Sequence, residues 1–172
     1  MQMLNSITLS LKKEDIILYP LAYLLVYIIP VVSHLTALPF YYLEPMRIVV
    51  LFSLLNRNKF SAFTFAITLP LFAAIVSGHP TLIKSLLIIS ELLLNIYVVD
   101  WLIKKKAAVW LSVSVGIVIS KAVYYIVKYV MIKLLLFDSV LISTPIPVQI
   151  FTLLVMSIFF SMIYRRNKGE SS

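Results

Sequence analysis

Long apolar runs, divided only by short polar breaks, fill most of this chain, and a chain so built has few folds open to it. A bilayer core about 30 Å thick is crossed by ~20 helical residues, and runs of that length recur from residue 16 onward. Of the 172 residues, 62% are hydrophobic and 13% charged. An average soluble domain has roughly 45–50% apolar and about 25% charged residues. A soluble fold of this size could not hide so much apolar surface. The expected fold class is an all-α membrane protein, one integral membrane domain across residues 1–172.

Reading the runs against their breakers gives six segments, at about 16–38, 45–56, 60–77, 80–103, 107–136 and 145–164. Pro20 and Pro30 fall inside the first and should bend it. Pro80 and Pro145 stand where helices begin, a position at which proline's missing N–H costs nothing, and Gly78 suits a tight turn just before Pro80. The second segment is too short to cross alone. It either continues into Asn56 as a tilted helix or lies partly re-entrant against protein. No internal repeat or low-complexity tract accompanies this pattern.

Charge sets the orientation. Lys12 and Lys13 precede the first segment, Arg57 and Lys59 join the second to the third, Lys104, Lys105 and Lys106 join the fourth to the fifth, and Arg165, Arg166 and Lys168 follow the sixth. Ten of the fifteen Lys and Arg residues thus fall on one side, which the positive-inside rule assigns to the cytoplasm. Six transmembrane helices with cytoplasmic N- and C-termini follow, in the inner membrane of a bacterium or archaeon. The formal charge of +8 is explained by these topology-setting clusters, so nucleic acid is not an expected partner. Residues 1–11 lack the basic region, apolar core and cleavage site of a signal peptide. With no cysteine and only His34 and His79, separated in sequence, neither a thiolate site nor a metal site is expected, and no cofactor.

Within the spans, ionisable residues are informative because a charge at the bilayer centre is costly and faces protein or a cavity. The fourth segment carries Lys84, Glu91 and Asn95, whose spacings of seven and four place them on one helix face. The fifth carries Lys121 and Lys128, seven apart, with Tyr124 and Tyr125 between. At 1.5 Å per residue, Glu91 lies about 16 Å below the start of its helix and Lys121 about 21 Å above the start of its own. Both depths are near the midplane, so a Glu91–Lys121 ion pair is allowed. Lys84 and Lys128 would face the outer mouth, Arg47 would join from the first outer loop, and Gln149 would offer an amide from the sixth segment. Such a recess, with surplus positive charge, would attract a carboxylate or phosphate on a small solute. The plainer reading makes Glu91 and Lys121 a structural pair and lets Lys84 and Lys128 snorkel to the headgroups. Tyr41, Tyr42, Tyr124, Tyr125 and Tyr129 could stack on a flat ligand, although interfacial belts are the commoner use of tyrosine. No paired carboxylates, no Ser-His-acid set and no glycine-rich phosphate loop mark an enzyme.

Two stretches carry a resemblance. Residues 34–51 read HLTALPFYYLEPMRIVVL and residues 77–99 read SGHPTLIKSLLIISELLLNIYVV. The first resembles the histidine, apolar loop and LxPMxxxVL pattern of substrate-binding S components of energy-coupling-factor (ECF) transporters. In the second, Gly78, Pro80, Glu91 and Leu92 are similar to the family's turn and its glutamate-leucine in the fourth helix. About half of the chain is covered. Three places depart from the pattern: residues 55–60 read LNRNKF where a glycine-rich turn is usual, Asn95, Ile96 and Tyr97 replace a tyrosine-glycine pair, and a helix-one alanine patch for docking is reduced to Ala22 and Val26.

The resemblance implies a membrane subunit that captures a vitamin or related micronutrient from outside, with a transmembrane coupling subunit and two cytoplasmic ATPases as partners. Substrate contacts would come from Glu91, Asn95 and Lys121, with Lys84, Lys128, Tyr125 and Gln149 around them and with Arg47 and His34 on the loop that closes over the ligand. The rival expectation is a non-transporting scaffold protein of a bacterial envelope complex, in which the polar stripes are helix–helix contacts.

Overall fold

Helices form wherever the apolar runs lie, because in a low-dielectric solvent only an element that pairs its own backbone groups is stable. A computed structural model describes residues 13–36, 40–56, 58–78, 80–134, 140–142 and 144–169, with the side chains of residues 13–16, 34, 41 and 167–169 outside the described set. The described residues form six α-helices: α1 (Lys13–Thr36), α2 (Pro45–Leu55), α3 (Lys59–Ser77), α4 (Leu82–Lys104), α5 (Val109–Lys133) and α6 (Ile146–Gly169). A 3₁₀ turn at Phe40–Leu43 precedes α2, and no strand occurs among the described residues. Four segments are long and apolar enough to cross a membrane: Lys59–Ser77, Leu82–Lys104, Val109–Lys133 and Ile146–Arg166. Their outward faces carry Ile75, Leu86, Ile126, Phe151 and Met162, all well exposed. Such a surface is stable against acyl chains rather than water, as in a multi-pass membrane protein.

Helices adjacent in sequence pack against each other from α2 to α6, and α1 lies along α3. The polar contacts fix their directions. On α1, Tyr19 Oη donates to Ser61 Oγ at 3.1 Å and Tyr23 Oη to Thr68 Oγ1 at 2.7 Å, so α1 and α3 advance in parallel. Phe65, fully buried, fills the space between those tyrosines, with ring centroids 4.5 Å from Tyr19 and 6.4 Å from Tyr23. Ser85 Oγ on α4 donates to the Pro70 carbonyl of α3 at 3.2 Å, and Ser114 Oγ on α5 to Ser157 Oγ of α6 at 2.8 Å. Interhelical bonds of this kind contribute about 0.6–2 kcal/mol each in a bilayer. One end of the bundle is basic: Asp100 on α4 pairs with Lys59 at 2.6 Å and with Lys104 at 2.8 Å.

One sequence expectation is corrected here. Pro80 and Pro145 lie just outside their helices rather than in the first turn. Thr81, with an extended ψ of 157°, is the N-cap of α4 and its carbonyl accepts from Ser85 N at 2.8 Å; the Pro145 carbonyl accepts from Val148 N and Gln149 N. A residue before the first turn can be extended while its carbonyl already serves the helix. Ala22 and Val26, which stand where the family's alanine patch would be, are 2% and 4% exposed and belong to the core.

The second helix positions the site. α2 has 11 residues, about 16 Å of rise, or half a bilayer core. It ends at Leu55 with Asn56 as its C-cap. At its other end Glu44 adopts a left-handed conformation, φ 51° and ψ 57°, which stops the 3₁₀ turn and starts the helix with Pro45 in the first turn. That conformation costs a non-glycine residue about 1–2 kcal/mol and is held by its surroundings. The 3₁₀ turn packs on α1 and α6, and α2 itself touches α1, α3, α4 and α6. Its first residues therefore sit inside the bundle, beside the middle of α4.

Candidate functional site

Arg47 is on the first turn of α2, and its side chain is 3% exposed. Its guanidinium forms an ion pair with Glu91 of α4 and another, at 2.7 Å, with Glu44 three residues earlier. Glu44 in turn pairs with Lys121 of α5. The order Lys121, Glu44, Arg47, Glu91 alternates in sign and sums to zero. Glu91 lies nine residues into α4 and Lys121 twelve into α5, about 14 Å and 18 Å along their helices, so the quartet spans three helices at mid-depth. Glu44 does not spend its carboxylate on capping the N-terminus of α2; it forms no side-chain cap there.

The sequence expectation of a direct Glu91–Lys121 ion pair is therefore corrected. Both residues are at the common depth that spacing implies, but Arg47 takes Glu91 and Glu44 takes Lys121. Arg47 is also not a member of an outer loop: it is a helical residue buried in the bundle. The expected surplus of positive charge is absent at this level, since each cation there meets a carboxylate. Glu44 escaped sequence reading, although its i,i+3 relation to Arg47 at the start of a segment too short to cross was the signal available.

Asn95, one turn from Glu91, is fully buried, and neither Oδ1 nor Nδ2 has a hydrogen-bond partner. Gly116 of α5 explains how α4 comes so close: a Cβ there would overlap Val99 Cγ2 and stand 3.2 Å from Asn95 Nδ2. A buried amide left unpaired costs about 1–3 kcal/mol, so the position is expensive unless something meets it. Arg47 Nε is likewise buried with no hydrogen-bond partner.

The remaining expected residues divide into two groups. Tyr125 follows Lys121 by one turn, packs edge-on against Tyr124 with centroids 5.4 Å apart, and lies within reach of Gln149, which also donates to the Thr144 carbonyl at 2.7 Å. Glu44 and Glu91 are near enough to both tyrosines to act on them electrostatically, so these rings border the quartet. Lys128 is elsewhere. Its Nζ donates to the carbonyls of Val140 and Leu141 at 2.7 and 3.0 Å, and with 1% exposure it does not snorkel. Half-buried Lys84 lies close enough to Lys128 for their charges to repel, and neither belongs to the quartet. The His34 side chain lies outside the described residues, as do His79 and the side chain of Tyr41. Tyr129 is 51% exposed on the outer face of α5 with Lys133 Nζ 5.7 Å from its ring.

Among the described residues, no group of three His, Cys, Asp or Glu could hold a metal ion. The arrangement can hold polar groups of both signs within an apolar bundle. No protein-family model, no curated protein and no solved structure matches this chain.

Proposed function

We propose that this chain is the solute-binding membrane subunit of an importer, equivalent in role to the S component of an ECF transporter. In this reading it crosses the membrane six times, the 3₁₀ turn and α2 together making the second crossing. The basic end that holds Lys59, Lys104 and Asp100 faces the cytoplasm with both termini. One observation carries the reading. A half-length helix starts mid-bundle and brings two charges, Glu44 and Arg47, to two more on α4 and α5, beside an amide with no partner. Interrupted helices whose polar starts meet at mid-depth are how membrane transporters build solute sites, since irregular backbone is tolerated there only against protein or a cavity. A transmembrane coupling subunit and two cytoplasmic ATPases would supply the energy.

The test is thermal stabilisation of the purified chain by a panel of vitamins and related micronutrients. A ligand at 100 times its Kd adds about 2.7 kcal/mol, which for a chain of this size is a shift of about 5–10 °C. Absence of any shift, together with failure to co-purify with a coupling subunit, would remove the proposal. The pairing of all four quartet charges within the protein favours a second reading, a scaffold whose helices are pinned by ion pairs. In that case Glu91→Gln would alter stability without altering the binding of any solute.

A further inference from the structure

The quartet has a charge balance that restricts what it can take. Two cations and two carboxylates at mid-depth already neutralise each other. A bare anion entering this level adds one negative charge with no new partner, and a bare cation adds one positive charge. In a low-dielectric bundle each unpaired ion is unfavourable enough to weaken binding at least about tenfold. A ligand carrying one charge of each sign adds none. Accessibility selects the point of entry: the side chains of Glu44 and Lys121 are 21% and 19% exposed, whereas those of Arg47 and Glu91 are 3% and 10%. The Glu44–Lys121 pair is therefore the less enclosed half of the quartet, and Arg47 with Glu91 the closed half. Tyr124 and Tyr125, three and four residues beyond Lys121, lie on the same side of α5. Their rings supply an apolar wall and a π-face suited to a cationic group.

From this we infer that the solute is a zwitterion with an apolar body, such as an amino acid or a quaternary-ammonium carboxylate. It inserts between Glu44 and Lys121, its anionic group on Lys121 Nζ and its cationic group on the Glu44 carboxylate. Each residue exchanges one partner for another of the same sign. The unpartnered Asn95 amide remains for a further polar group of the ligand. This inference rests on the solute-binding reading above and adds the substrate class to it.

The experiment uses the full chain in lipid nanodiscs and three matched probe sets. These are apolar and aromatic α-amino acids with betaine, the corresponding amines such as tyramine and tryptamine, and the corresponding deaminated acids. At least one zwitterion is expected to bind ten times or more tighter than its amine and its acid, by calorimetry and thermal shift. Lys121→Gln leaves the level one charge negative and should reverse the preference toward the amine. Glu44→Gln leaves it one charge positive and should favour the acid. Tighter binding of an acid or an amine to the unaltered chain overturns the inference and leaves solute binding in place, including an acid that binds with uptake of one proton. Binding of a vitamin with no response to any zwitterion does the same. Silence in both panels overturns both readings, and the unaltered chain decides these outcomes even where a variant does not fold.

Discussion

Replacing Arg47 by methionine isolates the energetics of the quartet. Methionine keeps most of the volume of the side chain and removes its charge. Glu44 would retain Lys121, but Glu91, 9% exposed, makes no other ion pair among the described residues and would be left as a buried carboxylate without a cation. Removing one partner of such a pair costs about 3–5 kcal/mol. At about 2–4 °C per kcal/mol for a chain of this length, Arg47→Met should lower Tm by roughly 6–20 °C in a circular-dichroism melt in nanodiscs. The double variant Arg47→Met/Glu91→Gln removes the stranded charge and should recover most of the loss, because a buried ion pair is often no more stable than its neutral replacement. Glu91→Gln alone should cost less than Arg47→Met, since Arg47 keeps Glu44. The reasoning is refuted if the double variant is as unstable as Arg47→Met, or if the single loss is under about 1 kcal/mol, the value for a solvated pair.

Three further substitutions test the surroundings. Gly116→Val should destabilise by about 1–3 kcal/mol through overlap with Val99, and Val99→Ala should restore part of it in a thermal melt. Asn95→Leu should leave the solute-free protein as stable or raise its Tm, because a buried unpaired amide is removed, while weakening stabilisation by any solute that contacts the amide. Gly78→Ala should cost about 1–2 kcal/mol by melt, entirely from its φ of +64°, as nothing lies within 4 Å of the added Cβ; Gly78→Asn should cost less.

The helices were legible in the sequence because a long apolar run between breakers permits little else in lipid, and their ends were displaced by only a few residues. Depth was legible too. Spacing along α4 and α5 put Glu91 and Lys121 at one level, and they are at one level. Partner choice was not legible, because periodicity reports position along a rod and around it but not which neighbouring rod faces it. Arg47 reads in the sequence as a residue of the first outer loop and the second segment as too short to cross alone, and only the return of that segment into the bundle brings it to Glu91. Glu44 was hidden for a related reason: its role depends on a left-handed backbone at a non-glycine position, which no composition rule signals. Lys128 looked suited to snorkelling, and instead serves carbonyls in the segment between α5 and α6 that happen to lie over it.

The brevity of α2 also has a consequence for how the protein is made. Arg47 leaves the ribosome 44 residues ahead of Glu91, the carboxylate that will hold it. An arginine carried to the centre of the bilayer costs insertion roughly 2.5–3.5 kcal/mol, and 11 residues supply too little greasy length to offset it comfortably. Settling of α2 is thus a late event in biogenesis, waiting on α4 rather than following directly behind α1. A chain truncated after Ser77 and released from the ribosome into the membrane, with a single cysteine placed at Val50 of this otherwise cysteine-free protein, should be labelled from the aqueous phase. The finished chain should shield the same position.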